Sequence, residues 1–147
     1  MKSETSARIS LWVNRVIAAL VCVLVFLMPQ ILRWYIQLRP LGQHGATAIF
    51  CGFYLCVPVI LYALWCMDRL LLNILSGSVF VTDNVRKIRR LRWCCTGVSL
   101  ICVPTAYFYP PLIFLAVIMA FLALVVSVVK NVMAAAVELR EESDLTI

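Results

Sequence analysis

Long apolar runs with few charges are the feature that most constrains how this 147-residue chain can fold. Hydrophobic residues make up 64% of the sequence and charged residues only 14%. A soluble domain carries about a quarter charged residues, and a chain of this length could not bury so much apolar side chain in one aqueous core. Lipid must therefore solvate much of the chain, and the sequence predicts one small, all-α integral membrane domain.

The apolar runs predict four membrane-spanning helices, because one helical span needs roughly 20 mostly apolar residues. We expect these spans at about 16–32, 46–67, 93–108 and 111–129, packed as a four-helix bundle. The first run is not followed by the small-residue pair of a signal-peptide cleavage site, so we expect it to be retained as a helix. The third run is short, and it is expected to tilt little or to borrow length from the basic segment before it.

The distribution of Lys and Arg predicts how the chain is oriented, since cytoplasmic loops carry an excess of both. All but two of the 13 basic residues lie near the two chain ends or in the loop between the second and third spans. The two exceptions, Arg33 and Arg39, lie between the first and second spans. We therefore expect both termini and the basic loop to be cytoplasmic.

The basic loop predicts a short cytoplasmic amphipathic helix over about 82–92. On a helix its apolar residues share one face, and most of its basic residues lie on the opposite face. Thr82 or Asp83 is expected to cap the start of this helix by accepting a hydrogen bond from a free backbone N–H group. Two interpretations stay open: an anchor on anionic lipid headgroups, or a docking surface for a cytosolic partner. The residues predicted to make these contacts are Arg86, Lys87, Arg89, Arg90 and Arg92.

One of these arginines has an unusual position. Arg92 falls at the edge of the apolar face of the helix, where an unpaired charge is costly. We expect it either to extend toward the membrane surface or to find a carboxylate.

An acidic tail, residues 134–147, is expected on the same side of the membrane as the basic helix. The tail has four carboxylates against one arginine, so opposite charges invite contact, with a separate solvated tail as the alternative. A second cluster of ionisable residues is expected at the inner ends of the second and fourth spans. Two interpretations stay open for this cluster: the side chains extend to the membrane surface, or they have a functional role. The members of this cluster are Asp68, Arg69 and Lys130.

The sequence lacks the residues that several kinds of active site and metal site require. The single histidine, His44, excludes a bis-histidine haem site and an H-E-x-x-H metalloprotease. None of the seven cysteines forms a C-x-x-C pair, and free thiols in the membrane core are expected. Small residues spaced four apart on the second and fourth spans predict close helix packing, within the chain or in a homo-oligomer. We predict a non-enzymatic protein that holds no cofactor or metal.

Two stretches of the sequence resemble a family of small bacterial four-span membrane proteins classed as a domain of unknown function. The stretches are G-x-V-F-V-T-D-N-V-R-x-I-R-x-L at residues 77–91 and E-L-R-E-E-S-D-L-T-I at residues 138–147. The resemblance covers essentially the whole chain and departs at Val81, where a Ser or Thr is frequent. The residues that match the family's motifs are Phe80, Asn84, Arg86, Leu91, Glu142, Asp144, Leu145 and Thr146.

The resemblance implies a multi-pass protein of the bacterial cytoplasmic (inner) membrane without enzymatic activity. It also implies a cytosolic helix-turn-helix regulator as a candidate partner, because the family's genes often lie beside one for such a regulator. We expect the protein itself to make no direct contact with nucleic acid. Two functions stay open: a regulatory, sensing or scaffold protein that presents the basic helix and acidic tail to a partner, or a transport component or accessory subunit of a transporter. Asn84 is expected to hold the turn into the basic helix.

Overall fold

The computed structural model describes residues 2–38, 42–77 and 81–146, and over that part of the chain it is all-helical. In lipid every backbone N–H and C=O group must find a partner within the protein, and a continuous helix provides these partners along each apolar run. The predicted all-α class is therefore confirmed. The helices are α1 (Lys2–Leu38), α2 (Gln43–Leu75), α3 (Thr82–Ala106) and α4 (Leu112–Leu145).

Three helices are long and apolar enough to cross a membrane: Thr5–Leu38, His44–Leu75 and Leu112–Leu145. Each has at least 32 residues, or about 50 Å at 1.5 Å per residue, and so exceeds the roughly 30 Å hydrocarbon layer. Many large apolar side chains on α1 and α4 are exposed, which suits helix surfaces that face lipid. These features are those of a membrane protein.

The basic segment forms the first turns of α3, not a helix of its own. No glycine or proline lies between Thr82 and Trp93, so the helix continues without a break into its apolar half. Six of the first eleven residues of α3 are charged, and α3 is not among the helices apolar enough to span by composition. The segment at 82–92 is therefore helical as predicted, but it is the start of α3 and not a separate short helix.

The turn between α2 and α3 depends on Gly77. Its φ of +80° lies in the left-handed region that favours glycine, as is common just after a helix. The Ser76 and Gly77 N–H groups donate to the carbonyls of Leu72 and Ile74, at 3.0 and 3.1 Å, and so partner the last free carbonyls of α2.

The start of α3 has no side-chain cap. Val81 occupies the N-cap position, and the Asn84 N–H donates to the Val81 carbonyl at 2.9 Å. The predicted cap by Thr82 or Asp83 is wrong, because both residues lie inside the first turn of the helix. Asp83 still places a negative charge at the positive end of the helix dipole, where it is favourable.

The helix backbones approach one another in chain order, α1 against α2, α2 against α3 and α3 against α4. A core of buried side chains joins the last three helices through Cys56, Val98, Cys102 and Ala116. Asn14 of α1 and Met119 of α4 line one cavity of about 260 Å³ together with residues of α2 and α3. Side chains from all four helices therefore line one shared cavity.

Gly52 marks a close approach of α2 and α3. A Cβ at this position would lie only 2.7 Å from Thr105 Oγ1. Thr105 is buried, and its hydroxyl donates to the Ile101 carbonyl at 2.9 Å. In the second predicted span, a small residue thus serves packing within the chain.

Candidate functional site

Polar side chains gather at one end of the helices, which we call the basic end. It is formed by the first turns of α1 and α3 and the last turns of α2 and α4. At the opposite end the rings of Tyr35 and Tyr109 meet edge to face, with centroids 5.7 Å apart. The chain therefore concentrates its charge chemistry at one end, and the candidate site lies there.

A hydrogen bond between two asparagines joins α2 and α3 at the basic end. Nδ2 of Asn73 donates to Oδ1 of Asn84 at 2.8 Å, and the Asn84 side chain is completely buried. The Ser76 hydroxyl donates to the Asn73 carbonyl at 2.9 Å. Because buried polar groups need partners, the asparagine pair favours one direction of approach between the two helices. Asn84 thus lies where its predicted role in the turn requires it.

Lys87 is paired within its own helix. Its Nζ lies 2.7 Å from Oδ2 of Asp83, one turn earlier, and only 17% of the Lys87 side chain is exposed. The hydrogen bond from Lys87 holds the pKa of the Asp83 carboxyl below its ordinary value of 3.8, with smaller contributions from Asn73 and Arg86. Lys87 was predicted to contact lipid or a partner, and in the structure its ammonium group lies against Asp83.

Three other basic residues of α3 project from the helix. Arg86, Arg89 and Arg90 are exposed, and we call them the basic face. Within the part of the chain that the structure describes, none of the three forms an ion pair. The basic face therefore presents three guanidinium groups that an anionic surface could bind.

Arg92 lies away from the basic face. Its guanidinium carbon lies 5.4 Å from the centroid of the Trp93 ring, in a cation–π contact. The predicted carboxylate partner is not found among the described side chains. Arg92 and Trp93 instead line one end of a groove between α3 and α4.

The predicted inner cluster of Asp68, Arg69 and Lys130 is not brought together. Asp68 Oδ1 lies 3.3 Å from Nε of Arg15, on α1. The Arg69 guanidinium carbon lies 5.7 Å from the Trp65 ring centroid. Lys130 belongs to α4, whose backbone approaches α3 but not α2 within the described ranges. The three residues therefore take part in different local contacts.

Two residues of α1 at the basic end were not predicted as site residues from the sequence. Asn14 is buried, and its Nδ2 donates to the Leu64 carbonyl at 3.0 Å. Together with the ion pair between Arg15 and Asp68, this bond joins α1 to α2 near the basic end. The available signal was an asparagine beside an arginine just before a long apolar run, since both side chains need polar partners there.

The acidic tail is the end of α4 and extends away from the basic face. Ser99 Oγ donates to the Ala116 carbonyl at 2.9 Å, so these two residues lie at the same level along α3 and α4. Thr82, 17 residues before Ser99, is therefore level with Met133, 17 residues after Ala116. The tail carboxylates lie beyond that point, are exposed, and form no ion pair with α3 among the described residues. The expected contact between tail and basic helix is therefore not formed. The carboxylates are those of Glu138, Glu141, Glu142 and Asp144.

The remaining motif residues have different surroundings. Leu91 lines the cavity shared by the four helices. Thr146 follows the last turn of α4, and its hydroxyl donates to the Glu142 carbonyl at 2.7 Å. Phe80 lies outside the described residues.

The chain belongs to the family described as "Protein of unknown function (DUF2975)", whose model matches residues 5–147. This match confirms the resemblance to a family classed as a domain of unknown function. No curated protein and no solved structure matches the chain.

Proposed function

We propose that this member of the DUF2975 family is a non-enzymatic regulatory, sensing or scaffold protein of the bacterial cytoplasmic (inner) membrane. In this proposal it presents the basic face and the acidic tail to a cytosolic partner. The observation that carries the proposal is that the two charged surfaces lie at the same end of the helices and leave each other unpaired. Unpaired surface charge is available to steer and orient a partner.

The proposal includes a topology in which four helices cross the bilayer as a bundle, with both termini and the start of α3 in the cytoplasm. Two features support it: the cavity lined by side chains of all four helices, and the excess of Lys and Arg at the basic end. The third crossing would use the apolar half of α3. Its charged first turns would lie at headgroup level, where the basic face can reach both anionic lipid and the cytosolic partner.

The acidic tail has the geometry of a docking element. It continues α4 as a regular helix to Leu145, so its carboxylates are held on a preformed helix and do not require a loop to order. A cytosolic regulator with a helix-turn-helix domain carries a basic surface for DNA, and this surface complements the tail in charge. The protein would then hold the regulator at the membrane through the surface that otherwise binds DNA, without touching DNA itself.

A role as a transport component has less support. Within the described ranges the buried polar side chains are those of Asn14, Asn84 and Thr105, and each makes a hydrogen bond with its own protein. Because these polar groups already have partners within the protein, they do not form a polar path through the helices. The cavity shared by the four helices is lined almost entirely by apolar side chains.

The test is crosslinking in native membranes followed by affinity purification of the whole chain. The informative variant replaces Glu141 and Glu142 with glutamine, which removes two charges from the tail and keeps its helix. The matched control neutralises two charges of the opposite sign on the basic face, through Arg89→Gln and Arg90→Gln. We expect a soluble regulator in near-equal amount with the wild-type protein, and its loss from the tail variant. Recovery of transporter subunits from both variants alike would instead support the transport component.

A further inference from the structure

We propose that the groove between α3 and α4 binds one anionic phospholipid from the membrane leaflet at the basic end. The headgroup phosphate would lie against Arg92, and an acyl chain would follow the groove toward the middle of the bilayer. This inference depends on the membrane location of the helices. It does not depend on a cytosolic partner or on which leaflet is cytoplasmic.

The groove has the shape and lining that such a lipid requires. Its volume is about 520 Å³, and its walls come from one face of α3 and one face of α4. Small side chains, Ala120 and Ala123, leave room on the α4 side, and Leu100 and Leu124 add apolar wall, with Leu100 in the deeper part. The small residues of the fourth span therefore leave an open groove along the surface of the protein.

The hydroxyl groups in the groove do not make it polar. Thr96 donates its hydroxyl to the Arg92 carbonyl at 3.0 Å, and Ser99 donates to the Ala116 carbonyl at 2.9 Å. The protons of these two hydroxyls are thus used by backbone carbonyls within the protein, and Ser127 is the third hydroxyl on the wall. The wall that remains suits a hydrocarbon chain better than a polar solute.

The end of the groove at Arg92 carries positive charge. The contact with Trp93 uses one face of the Arg92 guanidinium and leaves N–H groups at its edge able to bind phosphate. Arg89 lies one turn before Arg92 on α3, and Lys130 lies one turn after Ser127, which lines the groove on α4. Arg92 is therefore the cation that lines the groove, and Arg89 and Lys130 are the next basic residues along the two helices.

Among the described residues, the chain itself leaves no free carboxylate beside Arg92. Of the carboxylates that the structure describes outside the tail, Asp68 is paired with Arg15 and Asp83 with Lys87. The first tail carboxylate, Glu138, lies at least three helical turns along α4 from Ser127, which lines the groove with Arg92. A phospholipid brings both the anion and the apolar chain, so it matches the two parts of the groove together.

The experiment is native mass spectrometry of the purified full-length protein in detergent, titrated with phosphatidylglycerol or with zwitterionic phosphatidylcholine. We expect one phosphatidylglycerol per chain, bound about fivefold or more tightly than phosphatidylcholine, from the attraction of a basic residue for an anionic headgroup. Arg92→Gln should remove this preference. Arg86→Gln, which removes the same charge from the exposed basic face, should keep it.

Two further measurements distinguish binding of a whole lipid in the groove from binding of its phosphate alone. Ala123→Phe fills the groove without changing charge, and it should weaken the binding of both lipids while circular dichroism shows unchanged helix content. Inorganic phosphate alone should not compete, since it has no chain for the groove. Equal loss of preference in the Arg92 and Arg86 variants would overturn the proposal, because it would mean unspecific attraction to the basic end. A lipid-free dimer that Ala123→Phe dissociates would overturn it in favour of a second copy.

Discussion

Asn73 and Asn84 are joined by a 2.8 Å hydrogen bond across the turn between α2 and α3, and Asn84 has no exposed surface at all. This bond links the only segment of dense charge in the middle of the sequence to the end of a long apolar helix. The Asn73 amide also contributes to the low pKa of the neighbouring Asp83 carboxyl. The asparagine pair therefore joins the start of α3 to the end of α2 and lies beside the first charge of α3.

The first prediction concerns this pair. Asn84→Leu removes the acceptor of one N–H group of the partly buried Asn73 amide, and an unsatisfied group of this kind costs about 1–3 kcal/mol. We expect less protein in the membrane and a lower Tm in detergent than for Lys87→Ala, which breaks an ion pair with the mostly exposed Asp83 and shortens the Lys87 side chain. Replacing both asparagines with leucine should cost less than the sum of the two single changes. Equal tolerance of Asn84→Leu and Lys87→Ala would contradict a structural role.

Sequence reasoning identified what depends on composition and local pattern. Hydropathy gave the helices, and the motifs around Asn84 and Asp144 gave the family. It did not give the partners of Asp68 or Arg92, because these depend on how neighbouring helices are shifted and rotated against each other. It also divided α3 at Arg92, although no residue there breaks a helix; the change from charged to apolar composition is a change of environment, not of backbone structure.

The second prediction concerns the contact between Gly52 and Thr105. A methyl group added at Gly52 would lie 2.7 Å from Thr105 Oγ1, whereas one added at Gly97, also within a helix, would lie 4.0 Å from its nearest neighbour in Val59. We expect Gly52→Ala to lower stability by about 1–3 kcal/mol, as overpacking does, and Gly97→Ala to be tolerated. Unfolding in detergent measures both. Adding Thr105→Ala should restore much of the loss, and a failure to restore it would mean that another contact is responsible.

The third prediction concerns the pH dependence of the start of α3. The pKa of Asp83 is lowered by Lys87, so the ionised carboxyl contributes stability above its ordinary value of 3.8. That contribution is lost as the pH falls through the lowered pKa, and it does not change between neutral pH and about pH 5. Carbon-13 NMR of labelled aspartate should show this low pKa, and Lys87→Met should raise it. Arg140→Met, which removes a charge elsewhere, should leave it unchanged.

The fourth prediction is the proposed topology. Reporter domains fused after residues 44 and 109 should be extracytoplasmic, and those fused after residues 84 and 147 should be cytoplasmic. The pair at 84 and 109 is the direct test of α3, whose charged half keeps it from spanning by composition alone. If both of these reporters are found on one side, α3 does not cross the membrane. A cytoplasmic reporter after residue 44 would contradict the first crossing.

The last prediction is that the acidic tail and the basic face act independently. The register of α3 and α4, set by Ser99 and Ala116, places the tail beyond the start of α3, and the structure shows no ion pair between the two among the described residues. Because α4 is a continuous helix to Leu145, the tail cannot fold back onto α3 without breaking that helix. Exposed ion pairs contribute little, so they would not offset such a break.

Removal of residues 138–147 should therefore leave the reaction rate of the basic-face arginines with phenylglyoxal unchanged, at low and at high salt. The same truncation should abolish capture of the cytosolic partner, because the tail carboxylates are lost. A faster arginine reaction after truncation, or at high salt in the intact protein, would show that the tail covers the basic face. The two surfaces would then form one switch in which a partner must displace the tail, and binding would be limited by the free energy of that internal contact.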